Sequence, residues 1–324
     1  MAKTDPTKTR LLRRRFEADV RKRMNLLKKK LRNLIAEENA FGLGKQFAQN
    51  TRFAFQTDTE KLAQFRLILQ ELLEDTVLPN DLESLGDAYW TQYTIEAYER
   101  GQKRSFDAIQ KSRAESGAAF TAAREQFLSD SFNRPVSISR VQALAGRTYT
   151  ELKGVTEAIS QNMSRILVEG LATGASPRTV ARQMAKEIDS ITKRRALVIA
   201  RTETIRAHAE GQLDSFEAQG LAKVGVQVEW STTGDDRVCP RCQPLEGVVL
   251  KLKEARGILP RHPNCRCAFL PALEETKKKG QKRTKAQKKK AIDDSIRAEI
   301  PKKQRKKRSL KMQKKLSQWE GANL

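Results

Sequence analysis

Apolar side chains recur at steps of three and four along most of this chain, a spacing typical of amphipathic helices. Near the N-terminus arginine and lysine flank one such stripe, which consists of Leu12, Phe16, Val20, Met24, Leu27, Leu31 and Leu34. The pattern predicts a basic amphipathic helix over residues 1–35. Either this helix docks on its own domain and leaves a solvated charged surface, or its cationic surface faces a polyanion. A membrane-surface helix is disfavoured because the segment has no tryptophan anchor.

Residues 36–132 continue the helical spacing, interrupted by turn signals. One leucine-rich stripe ends at Pro79, and a second, rich in tyrosine, runs to Gly101. Aromatic side chains at helical spacing are more often core than part of a cofactor site, so we assign them to the core. The Asn-Arg-Pro sequence that follows favours a turn, and we expect a connection over residues 133–154.

The pattern changes from helical to strand-like within residues 155–273. A stripe over 155–171 predicts a long helix, and the Ser-Pro pair at 176–177 supplies an N-cap and a first-turn proline for the next one. After a third helix, valines alternate with other residues over 224–230, which is typical of a half-buried strand. The predicted fold class is therefore mainly α with a small α+β module, followed by a largely disordered tail over 274–324 that contains a short helix.

All four cysteines lie in this small module. A C-x2-C pair lets two thiolates converge on one ion, and a second cluster can supply the rest of a tetrahedral set. Five candidate ligands compete for four positions: Cys239, Cys242, His262, Cys265 and Cys267. In an extended segment the last two cysteines point the same way, so both can reach one metal and leave the histidine out of the set.

We expect a structural zinc ion here, with buried free thiols or disulfides as the alternatives. Four thiolates would close the coordination sphere, so a catalytic zinc is disfavoured. His208 and His262 are weak candidates for acid–base catalysis, because no nucleophile stands in a recognisable setting with them. The sequence therefore predicts a protein that is not an enzyme and has no small-molecule substrate.

Charge is concentrated at the two ends of the chain. The full sequence has 63 Lys and Arg against 39 Asp and Glu, a net charge of +24, while residues 34–273 are close to neutral. This distribution predicts a globular body with two cationic arms and a polyanionic partner. No apolar run reaches the roughly 18 residues of a membrane span, and the N-terminus lacks the apolar region of a secretory signal. We expect the chain to be made in the cytoplasm, with no membrane partner.

The C-terminal arm is almost purely basic. Its lysine and arginine clusters predict phosphate contacts: Lys277, Lys278, Lys279, Lys288, Lys289, Lys290, Arg305, Lys306, Lys307 and Arg308. Trp319 is its one aromatic residue, so base stacking cannot be the main source of affinity. We expect non-specific binding of double-stranded DNA.

The module resembles a known family in the order of its motifs. A helix with Arg201, Thr202 and Glu203 precedes a strand that ends at Trp230. An aspartate and the C-x2-C pair come next, then a glycine, then a His-Pro-Asn-Cys-Arg-Cys segment. This order resembles the phage head morphogenesis domain, the minor head proteins that include the F protein of phage Mu. The positions that carry the resemblance besides the cysteines and His262 are Arg201, Thr202, Glu203, Trp230, Asp236, Gly247 and Pro263.

The resemblance implies a virion component, present inside the phage head near the portal vertex and in the host cytoplasm during assembly. The portal protein and other head components are the implied partners. Two other functions stay open on the residues alone: a zinc-containing nuclease of the HNH type, and a cellular nucleic-acid-binding protein. Neighbouring residues on a helix point to different sides, so we expect Arg201 and Glu203 each to pair with another element.

Overall fold

The computed structural model of the chain describes residues 5–44, 57–79, 86–115, 124–219, 227–272 and 285–299. The helices are α1 (Arg10–Arg32), α2 (Asp58–Thr76), α3 (Tyr89–Glu115), α4 (Arg124–Phe132), α5 (Pro135–Thr173), α6 (Pro177–Ile191), α7 (Leu197–Ala218), α8 (Leu252–Ala255) and α9 (Lys285–Glu299). The strands are β1 (Gln227–Ser231), β2 (Val249–Lys251) and β3 (Ala268–Ala272). The predicted fold class, mainly α with a small α+β module, is confirmed. Of the helices in these ranges, none is both long and apolar enough to cross a membrane.

The chain divides into two units, and the divisions fall inside α1, α3, α5 and α7. Unit 1 comprises Met1–Leu12, Gln92–Leu144 and Thr202–Leu324, and unit 2 comprises Arg13–Thr91 and Ala145–Arg201. Each unit is therefore assembled from segments that are distant in sequence.

Unit 2 is a helical assembly whose apolar stripes match those in the sequence. The stripe of α1 is buried throughout, each member being at most 6% exposed. The predicted N-cap of α6 is also confirmed: the Ser176 hydroxyl accepts from the Thr179 amide and Pro177 occupies the first turn. A π-helical turn, Asn33–Glu37, follows α1 and packs on α6.

Helix α5 begins much earlier than the sequence pattern predicts. The expected connection over 133–154 is wrong for most of its length, because α5 starts at Pro135. Proline is well suited to the first turn of a helix, where its missing N–H has no partner to lose. The apolar stripe also extends upstream, since Val141, Ala145 and Leu152 are buried. What the sequence predicts to be a break is the start of a 39-residue helix.

Helices α3 and α7 cross in unit 1 at two glycines. A Cβ atom on Gly101 would lie 2.1 Å from the carbonyl oxygen of His208, and one on Gly211 would lie 2.1 Å from that of Tyr98. Only glycine permits backbones to approach this closely. The sequence predicts that the tyrosine-rich stripe ends at Gly101. In the structure this residue lies in the middle of α3 instead.

The sheet of unit 1 has three antiparallel strands in the order β2-β1-β3. Trp230 of β1 pairs with Phe269 of β3, and their rings meet edge to face at 5.9 Å. The outer edge of β3 is bonded by a side chain of α7. The amide group of Gln212 donates to the Phe269 carbonyl at 2.9 Å and accepts from its N–H at 3.3 Å.

Helix α9 lies within the segment predicted to be a largely disordered tail. Ala291, Ile292 and Ile296 are buried in the core that contains three of the cysteines. The Ser295 hydroxyl donates to the Arg241 carbonyl at 2.6 Å. The short helix expected near Ile292 is thus present, but it begins at Lys285 and is part of the module rather than of a separate tail.

Candidate metal centre

The first pair of cysteines lies on a tight turn. The amides of Cys242 and Gln243 both donate to the Cys239 carbonyl at 3.0 Å. A 3-10 turn, Gln243–Leu245, follows directly. This backbone brings the two side chains of the C-x2-C pair to the same side, as the spacing predicts.

A second turn presents His262 and the other two cysteines. The Cys265 amide donates to the His262 carbonyl at 3.1 Å, and Asn264 has a φ of 61°, which asparagine tolerates better than most residues. The hydroxyl of Thr202 on α7 accepts from the Asn264 amide at 3.1 Å. The turn is therefore tied directly to the helix that carries the Arg-Thr-Glu motif.

The five predicted donors come together in one cluster. Cys239, Cys242 and His262 form one triad and Cys242, Cys265 and Cys267 another, and within each triad the donor atoms lie within 4.8 Å of one another. Cys242 thus belongs to both triads. The sulfurs of Cys242 and Cys265 are 3.9 Å apart, close to the ~3.8 Å edge of a tetrahedral site with Zn–S bonds of about 2.3 Å. The chemistry and spacing of these donors fit a metal ion.

The histidine is oriented for coordination. Nδ1 of His262 lies 2.7 Å from the Pro263 carbonyl oxygen, which can only accept, so Nδ1 donates. This leaves Nε2 directed at the Cys239 sulfur, 3.0 Å away. Metal-bound histidines commonly donate their second ring nitrogen to a backbone carbonyl in this way. His262 therefore lies within the cluster and is not left out of it.

Protonation in the cluster is uneven. A hydrogen bond from the Cys242 thiol, aided by others from Cys267 and His262, holds the pKa of Cys265 far below its usual range despite burial. The same bond to Cys265 raises the pKa of Cys242. Hydrogen bonding and charge from Cys265 raise the pKa of His262 to about 9, against the effect of burial.

Residues 161–270 match the family model described as Phage Mu protein F like protein. This segment is therefore similar to that family. The resemblance to the phage head morphogenesis family is therefore confirmed, although the matched segment is about a third of the chain. No curated protein and no solved structure matches the chain.

The Mu F-like segment runs from within α5 to β3 and contains all five donors. Its motif residues have distinct places. Trp230 is fully buried against Phe269, and Gly247 has a φ of 73° that favours glycine, with its amide donating to the Trp230 carbonyl at 2.8 Å. Pro263 is exposed and contributes its carbonyl to His262. These residues shape the turns and core around the donors.

The Arg-Thr-Glu motif of the Mu F-like segment has its contacts on more than one element. Arg201 binds both carboxylate oxygens of Glu17 on α1, at 2.5 and 3.0 Å within unit 2. The expected pairing with another element is confirmed for this residue. Glu203 is 6% exposed and accepts from Arg206, one turn later on the same helix.

An ion pair that no sequence motif predicts joins the two cysteine loops. Both oxygens of Asp235 accept from Arg266 at 2.7 Å, and Asp235 also accepts from the Thr233 hydroxyl at 2.8 Å. The motif aspartate predicted from the sequence, Asp236, is exposed. The signal that could have found the pair is the arginine between the last two cysteines, which must point away from them.

A second network that the sequence does not predict lies on α7. Asp214, 4% exposed in its side chain, pairs with Arg140 and Arg256 at 2.6 Å each and accepts from the Tyr98 hydroxyl at 2.5 Å. Glu210 pairs with both arginines at 3.5 and 3.2 Å. Burial, together with the Asp214 carboxylate, raises the pKa of Tyr98. These carboxylates fix α7, and with it the Thr202 contact to the donor turn.

The predicted DNA-binding residues are described only in part. Lys277, Lys278, Lys279, Arg305, Lys306, Lys307 and Arg308 lie outside the described residues. Lys288, Lys289 and Lys290 lie on α9, where Lys288 pairs with Glu254 at 2.8 Å and the other two are exposed.

Proposed function

We propose that this protein is a structural minor head component of a tailed phage or prophage, acting in head morphogenesis near the portal. The Mu F-like match over residues 161–270 carries the proposal, because it supports a phage head morphogenesis protein. The portal protein and other head components are the partners we assign to it. The protein would be located in the interior of the phage head, and the head would assemble in the host cytoplasm.

We further propose non-specific contact with packaged double-stranded DNA through the basic ends. Residues 1–33 contain 13 Lys and Arg against 3 Asp and Glu, and residues 274–324 contain 19 against 6. On α1 the buried stripe leaves Arg14, Arg15 and Arg21 exposed. Charges of this kind bind phosphates without reading sequence.

We assign a structural zinc ion to the cysteine cluster, held by Cys239, Cys242, His262 and Cys265. Two observations support this set: the Pro263 carbonyl holds Nδ1 of His262 and so directs Nε2 at Cys239, and the sulfurs of Cys242 and Cys265 lie 3.9 Å apart. Cys267 lies in the second triad, with Cys242 and Cys265, and is the donor that this assignment leaves out. Such an ion would hold together two loops that have little apolar surface of their own.

A nuclease is not favoured by the geometry of the histidines. One ring nitrogen of His262 is bonded to a backbone carbonyl and the other faces a cysteine sulfur. His208 is 1% exposed within α7. A general base must reach a water or substrate proton, and neither imidazole is placed to do so.

Fractionation of purified phage heads tests the proposed function. We expect the chain to co-purify with DNA-free and DNA-filled heads in few copies and to cross-link to the portal protein. Finding it only in the cytoplasm of infected cells, and in neither class of head, would reject a virion role. A matched preparation of tails from the same lysate controls for adhesion to particles.

A further inference from the structure

A cavity in unit 2 is lined mainly by positive charge. It has a volume of about 690 Å³ and lies where the end of α1 and its π-helical turn pack on the first turns of α6. Five cationic side chains line it: Lys28, Lys29, Arg32, Arg178 and Arg182. Three alanines and the carboxylate of Glu37 complete the wall.

The cations of the cavity form two rows. Lys28 and Arg32 are four residues apart on α1, and Arg178 and Arg182 are four apart on α6, so each pair lies on one side of its helix. The three alanines that also line the cavity have short side chains and leave space for a ligand. Like charges around one cavity repel, and an anion between the rows would remove that repulsion.

The acidic groups nearby offset only part of this charge. Lys28 pairs with Asp189 at 2.6 Å, and Arg32 lies 3.5 Å from Glu37 with both side chains more than half exposed. Within the described ranges, Lys29, Arg178 and Arg182 make no ion pair. All three are exposed. The cavity therefore retains cations that are available to a ligand from solution.

The side chains that line the cavity limit the class of ligand that it can bind. An acyl chain needs an extended apolar surface, and a stacked base needs an aromatic platform, but the apolar part of this wall consists of alanines. Arginine guanidinium groups match phosphate oxygens with two parallel hydrogen bonds. We propose that this cavity binds backbone phosphates of a nucleic acid, without base readout. The choice of a nucleic acid rests on the proposed function; the assignment of an anion site does not.

Salt-dependent binding of full-length protein to a short mixed-sequence DNA duplex tests the proposal. Each phosphate contact contributes about 0.9 to the slope of log K against log salt. Replacing Arg178→Gln and Arg182→Gln together is expected to reduce that slope by about 1.8, so the affinity loss between about 50 and 200 mM salt becomes roughly tenfold smaller. The matched control replaces two exposed cations of α5, Lys153→Gln and Arg165→Gln, and is expected to leave the slope near that of the unmodified protein. Equal slopes for the two double variants would overturn the proposal.

Acetylation of lysines, read by mass spectrometry, locates the contact independently of folding changes in variants. We expect DNA to protect Lys29 while Lys153 stays reactive. Lack of protection at Lys29 would overturn the proposal that DNA binds at the cavity. Equal protection by inorganic phosphate alone, or stronger protection by vesicles of anionic lipid, would overturn nucleic acid as the ligand.

The two proposals fail separately. A protein absent from heads that still shows the slope difference and Lys29 protection would overturn the head role and support the cavity. A protein found in heads without either signal would overturn the cavity and support the head role.

Discussion

Arg266 donates to both carboxylate oxygens of Asp235, and this ion pair closes one cysteine loop onto the other. Arg266 lies between Cys265 and Cys267, while Asp235 precedes the C-x2-C pair by four residues. The two loops are thus connected outside the cluster of sulfurs as well as within it. This connection would remain when the donors hold no ion.

Acid should weaken the module through Asp235. Its hydrogen bonds from Arg266 and Thr233 hold the pKa far below the usual range. A carboxyl whose folded pKa is depressed contributes stability above its unfolded value, near 4, and that contribution falls as pH decreases toward the folded value. We expect Asp235→Asn to lower the thermal midpoint at pH 7 and to flatten the fall in midpoint below about pH 4. Asp236→Asn, at the exposed neighbour, is the control; an equal effect of both would contradict the role of the pair.

The helix crossing at Gly101 should not tolerate a methyl group. In Gly101→Ala the new Cβ would overlap the His208 carbonyl, and forced separation of packed elements costs about 1–3 kcal/mol or more. Gly146→Ala on α5 is the matched control, because nothing lies within 4 Å of its Cβ; it should gain about 0.5–1 kcal/mol from helix propensity. Urea unfolding measures both. An unchanged free energy of unfolding in Gly101→Ala would show that the two helices do not approach each other as closely as described.

Removing the charge of Asp214 should destabilise unit 1 strongly. Asp214→Asn leaves Arg140 and Arg256 with less compensation around a carboxylate that is 4% exposed, and loss of one partner from a buried pair costs about 3–5 kcal/mol. Glu217→Gln removes another partner of Arg256, but that side chain is 57% exposed, so we expect less than about 1 kcal/mol. Chemical denaturation compares the two variants. Similar losses would argue against the importance of burial here.

Metal analysis should separate the possible ligand sets. Protein purified reduced and without added metal should hold about one equivalent of zinc. Cys242→Ser should abolish binding, because Cys242 belongs to both triads of donors, whereas Cys267→Ser should retain the ion. The assigned set would be wrong if Cys267→Ser lost the metal and His262→Asn kept it.

The basic segment beyond α9 should contribute DNA affinity, whereas α9 itself should contribute stability. Residues 300–324 contain nine Lys and Arg against one acidic residue, so deleting them should weaken DNA binding and reduce its salt dependence. Deletion from residue 274 would also remove Ala291, Ile292 and Ile296 from the core and should lower the thermal midpoint. Circular dichroism and DNA titration of both truncations test this. Unchanged DNA binding without residues 300–324 would contradict this prediction and would indicate that α1 and the cavity provide the DNA contacts.

The sequence predicted most of the helices because burial follows their periodicity. The stripes of α1 and α6 lie where the spacing placed them. It failed at Pro135 and Gly101 because both residues have two common roles. Proline either interrupts a helix or starts one, and glycine either ends a helix or permits a close crossing. Only the surrounding packing distinguishes these roles.

The sequence predicted the donor residues of the candidate site but not the ion pairs that hold its loops and α7 in place. The spacing of the cysteines and His262 identified all five members of the cluster. Asp235–Arg266 and the carboxylates of α7 depend on side chains that are distant in sequence and have no fixed spacing. The partners in such pairs are determined by the tertiary fold, so the position of Arg266 between two cysteines indicates an outward-pointing cation but not the carboxylate that it meets.

The side-chain amide of Gln212 protects one edge of the three-stranded sheet from strand addition. An edge strand with open N–H and C=O groups is a template for strand addition from another copy. At Phe269 both groups are already bonded by Gln212. Strand addition from another copy is therefore opposed at Phe269, near the start of β3.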